Sequence, residues 1–141
     1  MVNNKQVTVK DCKLVSLPKI QNRSGNITFL ENRNKMFFET KRIFYLYDIP
    51  GGESRGAHAH IECHQFIIAV LGSFEVHLDD GKDKSIIQLN QPFKGLYIPP
   101  GIWASEVNFS GGSICLVLAS QLYEEGDYIR NYKDFLRFKK E

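Results

Sequence analysis

Short runs of apolar and β-branched residues recur along the chain, and each run ends at a cluster of glycine, proline, asparagine or aspartate. The runs have the length of β-strands, and the clusters supply the backbone angles that chain reversals need. The pattern predicts strands at residues 27–30, 42–47, 65–71, 73–78, 85–89, 95–98, 105–109 and 114–119. So many short strands in succession indicate an all-β sandwich or barrel.

Side chains alternate along the strand predicted at residues 73–78. Phe74, Val76 and Leu78 point to one face and the residues between them are polar, so the other face of this strand contacts solvent. Helical spacing of apolar residues is found near the end of the sequence, at residues 127–139. The sequence therefore predicts an antiparallel β-barrel or jelly roll capped by a short C-terminal helix.

The size and composition fit one globular domain. With 141 residues, 43% of them hydrophobic, the chain can bury its own core, so we expect a single domain over residues 1–141. Lysine and arginine number 18 against 16 acidic residues, a formal net charge of +2 that is spread along the sequence. We expect no nucleic-acid partner, because the basic patch that such binding needs is missing. A small anionic ligand is compatible with this charge.

Apolar run lengths and cysteine spacing indicate a cytoplasmic location. The longest apolar run, residues 66–71, is too short to cross a bilayer, so we expect no membrane partner. Residues 1–10 are polar without the apolar core of a secretion signal, and we expect them to form an arm that is frayed or that depends on a partner for its structure. Cys12, Cys63 and Cys115 form no CxxC pair, which suits free thiols in a reducing compartment.

The most informative segment is RGAHAH at residues 55–60, in which His58 and His60 stand two residues apart. In an extended chain both imidazoles project from the same face. Because imidazole titrates near neutral pH, such a pair suits general acid–base catalysis. The alternative interpretation is a pair of histidines on a surface loop.

Together with Gln65, Gly72 and the Pro-Pro-Gly at residues 99–101, the histidine pair resembles the two motifs of cupins, small β-barrels whose interior holds a metal or a substrate. Metal-binding cupins take two histidines and a glutamate from the first motif and a further histidine from the second. Here Gln65 occupies the glutamate position and Ala104 the second histidine position, so we expect no bound metal. Other side chains could replace these ligands if they point inward: Glu62, His64 and His77.

Further segments narrow the resemblance. They are KRIFY at residues 41–45, LDDG at 78–81, GLY at 95–97, VLAS at 117–120 and DYIRNY at 127–132. With the histidine segment they resemble the WxcM-like dTDP-sugar 3,4-ketoisomerases of the cupin family, and DYIR after the LAS strand is distinctive of that family. The resemblance implies a cofactor-independent isomerase. Its substrate would be dTDP-4-oxo-6-deoxy-D-glucose, and its 3-oxo-6-deoxyhexose product would be a precursor of a 3-amino sugar in surface glycans.

Moving the carbonyl from C4 to C3 requires loss of the C3 proton, an enediol intermediate and return of a proton to C4. The family pattern implies that His58 is the base at carbon and that His60 moves the oxygen protons or orients His58; the reverse assignment stays open. Tyr45 on the preceding strand is a candidate hydrogen-bond donor to the developing oxyanion. Its other interpretation is an aromatic side chain that packs at the rim.

The diphosphate of such a substrate needs at least one arginine, because guanidinium groups bind phosphate oxygens in a bidentate way. The resemblance assigns this role to Arg55 first and Arg42 second, although Arg42 suits an ion pair at the barrel end equally well. Arg23 belongs to a turn that lies near the sugar in this family. Gln65 is a further candidate substrate contact, and Trp103 either forms the floor of the pocket or packs in the core.

The resemblance also implies a homodimer, and exchange of the strand near residues 27–30 would cover an open sheet edge. Three other functions stay open at this point. A nucleotide-sugar 3,5-epimerase is the nearest, and His60 together with residues 127–132 argues against it. The others are a non-catalytic ligand-binding cupin and a metal-dependent cupin dioxygenase.

Overall fold

The computed structural model describes residues 3–32 and 37–141. Its strands are β1 (Lys13–Ser16), β2 (Lys19–Ile20), β3 (Ile27–Thr28), β4 (Arg42–Leu46), β5 (Arg55–His60), β6 (Gln65–Leu71), β7 (Phe74–Asp79), β8 (Lys84–Leu89), β9 (Lys94–Ile98), β10 (Trp103–Val107), β11 (Ile114–Ala119) and β12 (Tyr128–Ile129). Within these residues one α-helix, α1, covers Tyr132–Lys140, and short 3₁₀ turns lie at Val9–Asp11 and Glu125–Asp127.

Two five-stranded antiparallel sheets pack face to face. One has the order β1-β9-β6-β11-β4 and the other the order β12-β5-β10-β7-β8, while β2 and β3 form a separate hairpin. Buried side chains from both sheets fill the space between them, among them Phe74, Leu96 and Val117, together with Phe109 from the loop after β10. This architecture confirms the all-β, cupin-type jelly roll with a short C-terminal helix.

The predicted strands agree with the structure most closely in the second half of the chain. Strands β6 and β11 have the predicted bounds, and the bounds of the other predicted strands shift by at most two residues. The predicted strands omit β1, β2, β5 and β12. Of these, β1, β2 and β12 are two to four residues long, too short for alternation of side chains to be visible. Strand β5 has six residues but no apolar run, and only the spacing of its two histidines was interpreted on an extended chain.

The C-terminal helix begins later than predicted, at Tyr132. The Asn131 side chain caps it by accepting a hydrogen bond from the backbone N–H of Asp134. The residues before the cap form β12, which pairs with β5. Phe135 buries the helix against Ala59 of β5. Within the described residues, no helix has the length and apolar character needed to span a membrane.

The structure corrects the expectation that the first residues are frayed. Val7 is buried in the main core, and Asn4 Nδ2 donates a hydrogen bond to the carbonyl of Ile61. From α1, Lys139 Nζ donates hydrogen bonds to the carbonyls of Asn4 and Val7. Residues 3–10 are thus held against the barrel by buried contacts that a polar composition does not reveal. The first two residues lie outside the described part of the chain.

Candidate active site

A cavity of about 230 Å³ opens between the two sheets. Apolar side chains of β4, β6 and β11 line one side, among them Phe44, Ile67 and Val117. The polar side chains that line the cavity are those of Arg55, His58, Gln65, Glu106, Tyr128 and Arg130. Three larger depressions lie elsewhere on the surface of the described residues, and none of them contains a histidine. The chemistry predicted for the histidine segment therefore belongs to the cavity between the sheets.

Alternation along β5 decides which of its side chains face inward. His58 lines the cavity, whereas His60 is buried behind it and does not contribute to the lining. The two rings meet edge to face, with their centroids 5.0 Å apart. The imidazoles thus share one face of the strand, as their spacing predicts, but only His58 is open to a ligand.

Asp127 holds the His60 ring in one orientation. Its Oδ2 lies 2.9 Å from His60 Nδ1, and both side chains are buried. The same carboxylate accepts hydrogen bonds from the backbone N–H groups of Glu62 at 2.7 Å and Cys63 at 3.2 Å. Because an ionised carboxylate can only accept, Nδ1 of neutral His60 carries the proton and Nε2 is the acceptor. His60 Nε2 is buried and has no hydrogen-bond partner among the described residues.

Burial weakens both imidazoles as bases. Desolvation, with smaller contributions from the neighbouring His60 and from Arg130, lowers the pKa of His58 to about 4. Burial also lowers the pKa of His60, although the hydrogen bond to Asp127 opposes this shift. His58 is therefore uncharged near neutral pH and can accept a proton.

Arginine side chains gather at the open side of the cavity. Arg55 and Arg130 both line it, and Arg130 lies over the Tyr128 ring, 4.3 Å from the centroid. Two hydrogen bonds to Glu125, at 2.7 and 2.9 Å, hold the Arg130 guanidinium there. Arg42 Nη2 lies 3.5 Å from the Tyr128 hydroxyl, and its buried Nε has no partner among the described residues. This arrangement suits an anionic ligand such as a diphosphate.

Besides His60 and Arg42, three residues singled out from the sequence do not line the cavity. Tyr45 points away from the cavity because the inward positions of β4 are Arg42, Phe44 and Leu46. The Tyr45 side chain is 59% exposed. Arg23 lies in the exposed turn between β2 and β3. Trp103 packs on α1, with its ring centroid 5.7 Å from that of Phe135. The sequence left a packing interpretation open for both aromatic residues.

The cavity wall offers few metal ligands. Gln65 and Ala104 line it at the positions where metal-binding cupins carry glutamate and histidine. The possible replacements do not line the cavity: Glu62, His64 and His77. Among the described residues, His60, Cys63 and Asp127 form the one group of suitable side chains whose ligand atoms lie within 4.8 Å of one another. The Asp127 carboxylate in that group already accepts hydrogen bonds from His60 and two backbone N–H groups.

Sequence reasoning assigned no role to four residues that shape the site. Asp127, Tyr128 and Arg130 belong to the segment that signalled the family, and the Tyr128 ring packs 4.4 Å from His60 and 5.0 Å from His58. Their place beside the histidines depends on the pairing of β12 with β5, which no local pattern predicts. No sequence pattern singled out Glu106 as a site residue, because an acidic residue in a strand normally faces solvent.

Comparison with known proteins finds relatives over almost the whole chain. Residues 10–140 match the family model FdtA, described as WxcM-like, C-terminal. A TDP-4-oxo-6-deoxy-alpha-D-glucose-3,4-oxoisomerase from Aneurinibacillus thermoaerophilus is 37% identical over 126 residues, which are 89% of this chain and 91% of the relative.

Two solved structures are similar in sequence and fold. A 3,4-ketoisomerase from Helicobacter canadensis is 42% identical with a TM-score of 0.90, covering 93% of this chain and 98% of its own. QdtA, a sugar 3,4-ketoisomerase from Thermoanaerobacterium thermosaccharolyticum solved with TDP, is 34% identical with a TM-score of 0.90, covering 94% and 97%. A histidine-to-asparagine variant of QdtA has been solved with TDP-4-keto-6-deoxyglucose.

Proposed function

The chain belongs to the FdtA family, described as WxcM-like, C-terminal, and from this membership we propose that it converts dTDP-4-oxo-6-deoxy-D-glucose into a dTDP-3-oxo-6-deoxyhexose. It is an isomerase of the sugar 3,4-ketoisomerase type. One observation carries the proposal for this substrate: a neutral imidazole, that of His58, faces a cavity whose open side carries arginines. The imidazole suits proton removal beside a carbonyl, and the guanidinium groups suit the diphosphate.

His58 is the base at carbon in this proposal. It takes the proton from C3, next to the C4 carbonyl, and the electron pair of the broken C–H bond forms the enediolate. Transfer of the O3 hydroxyl proton to O4 and return of the proton from His58 to C4 then leave the carbonyl at C3. The low pKa of His58 keeps the imidazole in its accepting form before the reaction begins. No electron leaves the sugar, so the proposed reaction needs no redox cofactor.

His60 is a positioning residue rather than a second base in contact with the sugar. Its ring lies behind His58 and outside the cavity lining, and Asp127 fixes its tautomer through Nδ1. The unpartnered Nε2 presents an acceptor on the side away from Asp127. Of the two roles left open from the sequence, the geometry favours orientation of His58.

We propose that the diphosphate binds at the open side of the cavity. Arg55 and Arg130 are the first candidates because both line it, and Arg42 is a third because its Nη2 lies 3.5 Å from the hydroxyl of the lining residue Tyr128. Gln65 lines the cavity wall and can donate to and accept from a sugar hydroxyl. We do not assign the oxyanion contact to Tyr45, since its side chain points outward from β4.

We further propose a homodimer in the cytoplasm. Ile43 and Tyr45 expose apolar surface on the outer face of the sheet at its β4 edge, and Ile20 and Ile27 do so on the β2–β3 hairpin. A second copy that covers these side chains would remove an open edge and a large apolar patch from solvent. The three cysteines carry free thiols, which suits a reducing compartment.

Product analysis tests the proposed reaction. Purified protein is incubated with dTDP-4-oxo-6-deoxy-D-glucose, and the sugar is identified by ¹H NMR. A 3-oxo-6-deoxyhexose supports the proposal. A 5-epimer would instead indicate a 3,5-epimerase, and binding without turnover would indicate a ligand-binding protein.

A further inference from the structure

A second ionisable side chain faces the cavity from β10. Glu106 is only 7% exposed, and it lines the cavity together with Gly56 and His58. Across the β5–β10 pair, Ala104 lies opposite His58 and Glu106 lies opposite Arg55, so β5 carries one extra residue in this interval. Such bulges redirect side chains and are frequent beside active sites.

Gly56 makes room for the Glu106 carboxyl within this bulge. Its backbone has a φ of 77°, which favours glycine. A β-carbon at position 56 would lie 2.5 Å from Glu106 Oε2, closer than real side chains approach. The hollow beside Gly56 therefore holds a carboxyl group in the cavity wall.

The surroundings of Glu106 allow both its protonated and its ionised form near neutral pH. On β7 the residue opposite Glu106 is Val76, which carries no charge. The ionisable groups near Glu106 are Arg55 of β5 and Cys115 of β11. Burial raises the pKa of Glu106 to about 7, and the Arg55 charge opposes this shift only in part. Near neutral pH the side chain can therefore both give and take a proton.

Three of the polar side chains that line the cavity can exchange protons: His58, Glu106 and Tyr128. The arginines stay charged, and the Gln65 amide does not titrate. The Tyr128 hydroxyl accepts a hydrogen bond from Arg42 Nη2, whereas Glu106 lies on the strand that pairs with the His58 strand, two residues along from the position opposite His58. On one face of a sheet, diagonal neighbours of this kind are separated by about 7–8 Å, enough for a sugar ring edge to lie between their side chains.

The proposed isomerisation has two separate kinds of proton transfer, between carbons and between oxygens. Resting on that proposed function, we infer that Glu106 is a further catalytic residue, the group that carries the proton between the O4 and O3 oxygens of the sugar. Protonated Glu106 gives its proton to O4 of the enediolate, and the resulting carboxylate takes the proton from the O3 hydroxyl. The C3–O bond becomes the carbonyl as His58 returns its proton to C4. Each group ends in the protonation state in which it began.

The Glu106→Gln variant tests this role because it keeps the shape and removes the exchangeable proton. In deuterated water, ¹H NMR follows deuterium incorporation at C3 of the recovered substrate and formation of the 3-oxo sugar. We expect product formation to fall by about 100-fold and C3 exchange to stay within about tenfold of wild type, since His58 still removes the carbon proton. Glu106→Asp, which keeps an acid, should recover part of the product formation.

Glu75→Gln on the outer face of β7 is the matched control, and both rates should stay at wild-type values. Product formation by Glu106→Gln within about threefold of wild type would overturn the role, because His58 would then serve both carbon and oxygen. Equal losses of exchange and product formation by a folded variant would also overturn it, since Glu106 would then act before the oxygen transfer. A wild-type protein that shows neither reaction would overturn the proposed function itself.

Discussion

The two histidines of β5 stand two residues apart but differ in what surrounds them. His58 faces the cavity, and His60 lies between it and the buried Asp127 carboxylate. We expect His58→Asn to lower kcat by at least about 100-fold, because the base at carbon is lost. His60→Asn should lower kcat less while leaving KM near the wild-type value, since His60 does not line the cavity. Steady-state kinetics with equal losses in both variants would contradict this division.

Asp127 is predicted to act through the tautomer of His60. Asp127→Asn replaces a group that only accepts by one that can also donate, so we expect kcat to fall by about 10- to 1000-fold. The ¹⁵N chemical shifts of the His60 ring should report a changed tautomer, which loss of packing alone does not produce. An unchanged tautomer with unchanged kcat would show that the hydrogen bond supports only the turn at Glu62 and Cys63.

The raised pKa of Glu106 predicts the direction in which the stability of the protein changes with pH. Its pKa rises from the ordinary 4.5 to about 7 in the folded protein, so the folded state binds more protons between these values. The contribution to stability is present below pH 4.5 and is lost as the pH rises through about 7. Glu106→Gln should therefore gain stability relative to wild type between pH 5 and pH 8 in thermal unfolding. A constant difference in Tm across this range would contradict a buried carboxyl that titrates there.

At the scale of elements, local patterns predict the long strands and miss the pieces that complete the site. The runs that became β6 and β11 are apolar and β-branched, so their hydrophobic pattern specifies them. β12 is two residues long, and its Ile129 packs with Ala59 of β5 and Phe135 of α1, so its place next to β5 depends on tertiary contacts that no local pattern shows. The residues nearest His60 therefore could not be predicted. Alternation of side chains along an extended chain did predict that the two imidazoles lie on the same face of β5.

Packing of α1 should accordingly matter for the site as well as for stability. Phe135 is fully buried between the helix and β5, so Phe135→Ala should lower the free energy of unfolding by about 3–5 kcal/mol. Urea denaturation measures this loss, and Lys133→Ala on the exposed face of the same helix is the control. Loss of stability below about 1 kcal/mol would mean that the helix is not part of the cooperative core.

For the whole molecule, the two sheets leave apolar surface on the outside at the β4 edge. Ile43 and Tyr45 face outward there, and we expect a second copy of the chain to cover them. The double variant Ile43→Lys/Tyr45→Lys should shift the protein from dimer to monomer in light scattering coupled to size-exclusion chromatography. Ile86→Lys, an equally exposed apolar position on the other sheet, should leave the dimer intact. A wild-type monomer would contradict the proposed assembly.

In the proposed mechanism, the neutral imidazole of His58 removes the C3 proton of a nucleotide-linked 4-oxo sugar. The most direct measurement is ¹H NMR of dTDP-4-oxo-6-deoxy-D-glucose in deuterated water with chelator-treated protein, comparing wild type with His58→Asn. We predict that wild type replaces the C3 proton by deuterium and forms the 3-oxo sugar, and that His58→Asn does neither at a comparable rate. Exchange at C5 alone, or C3 exchange that persists in His58→Asn, would contradict the account.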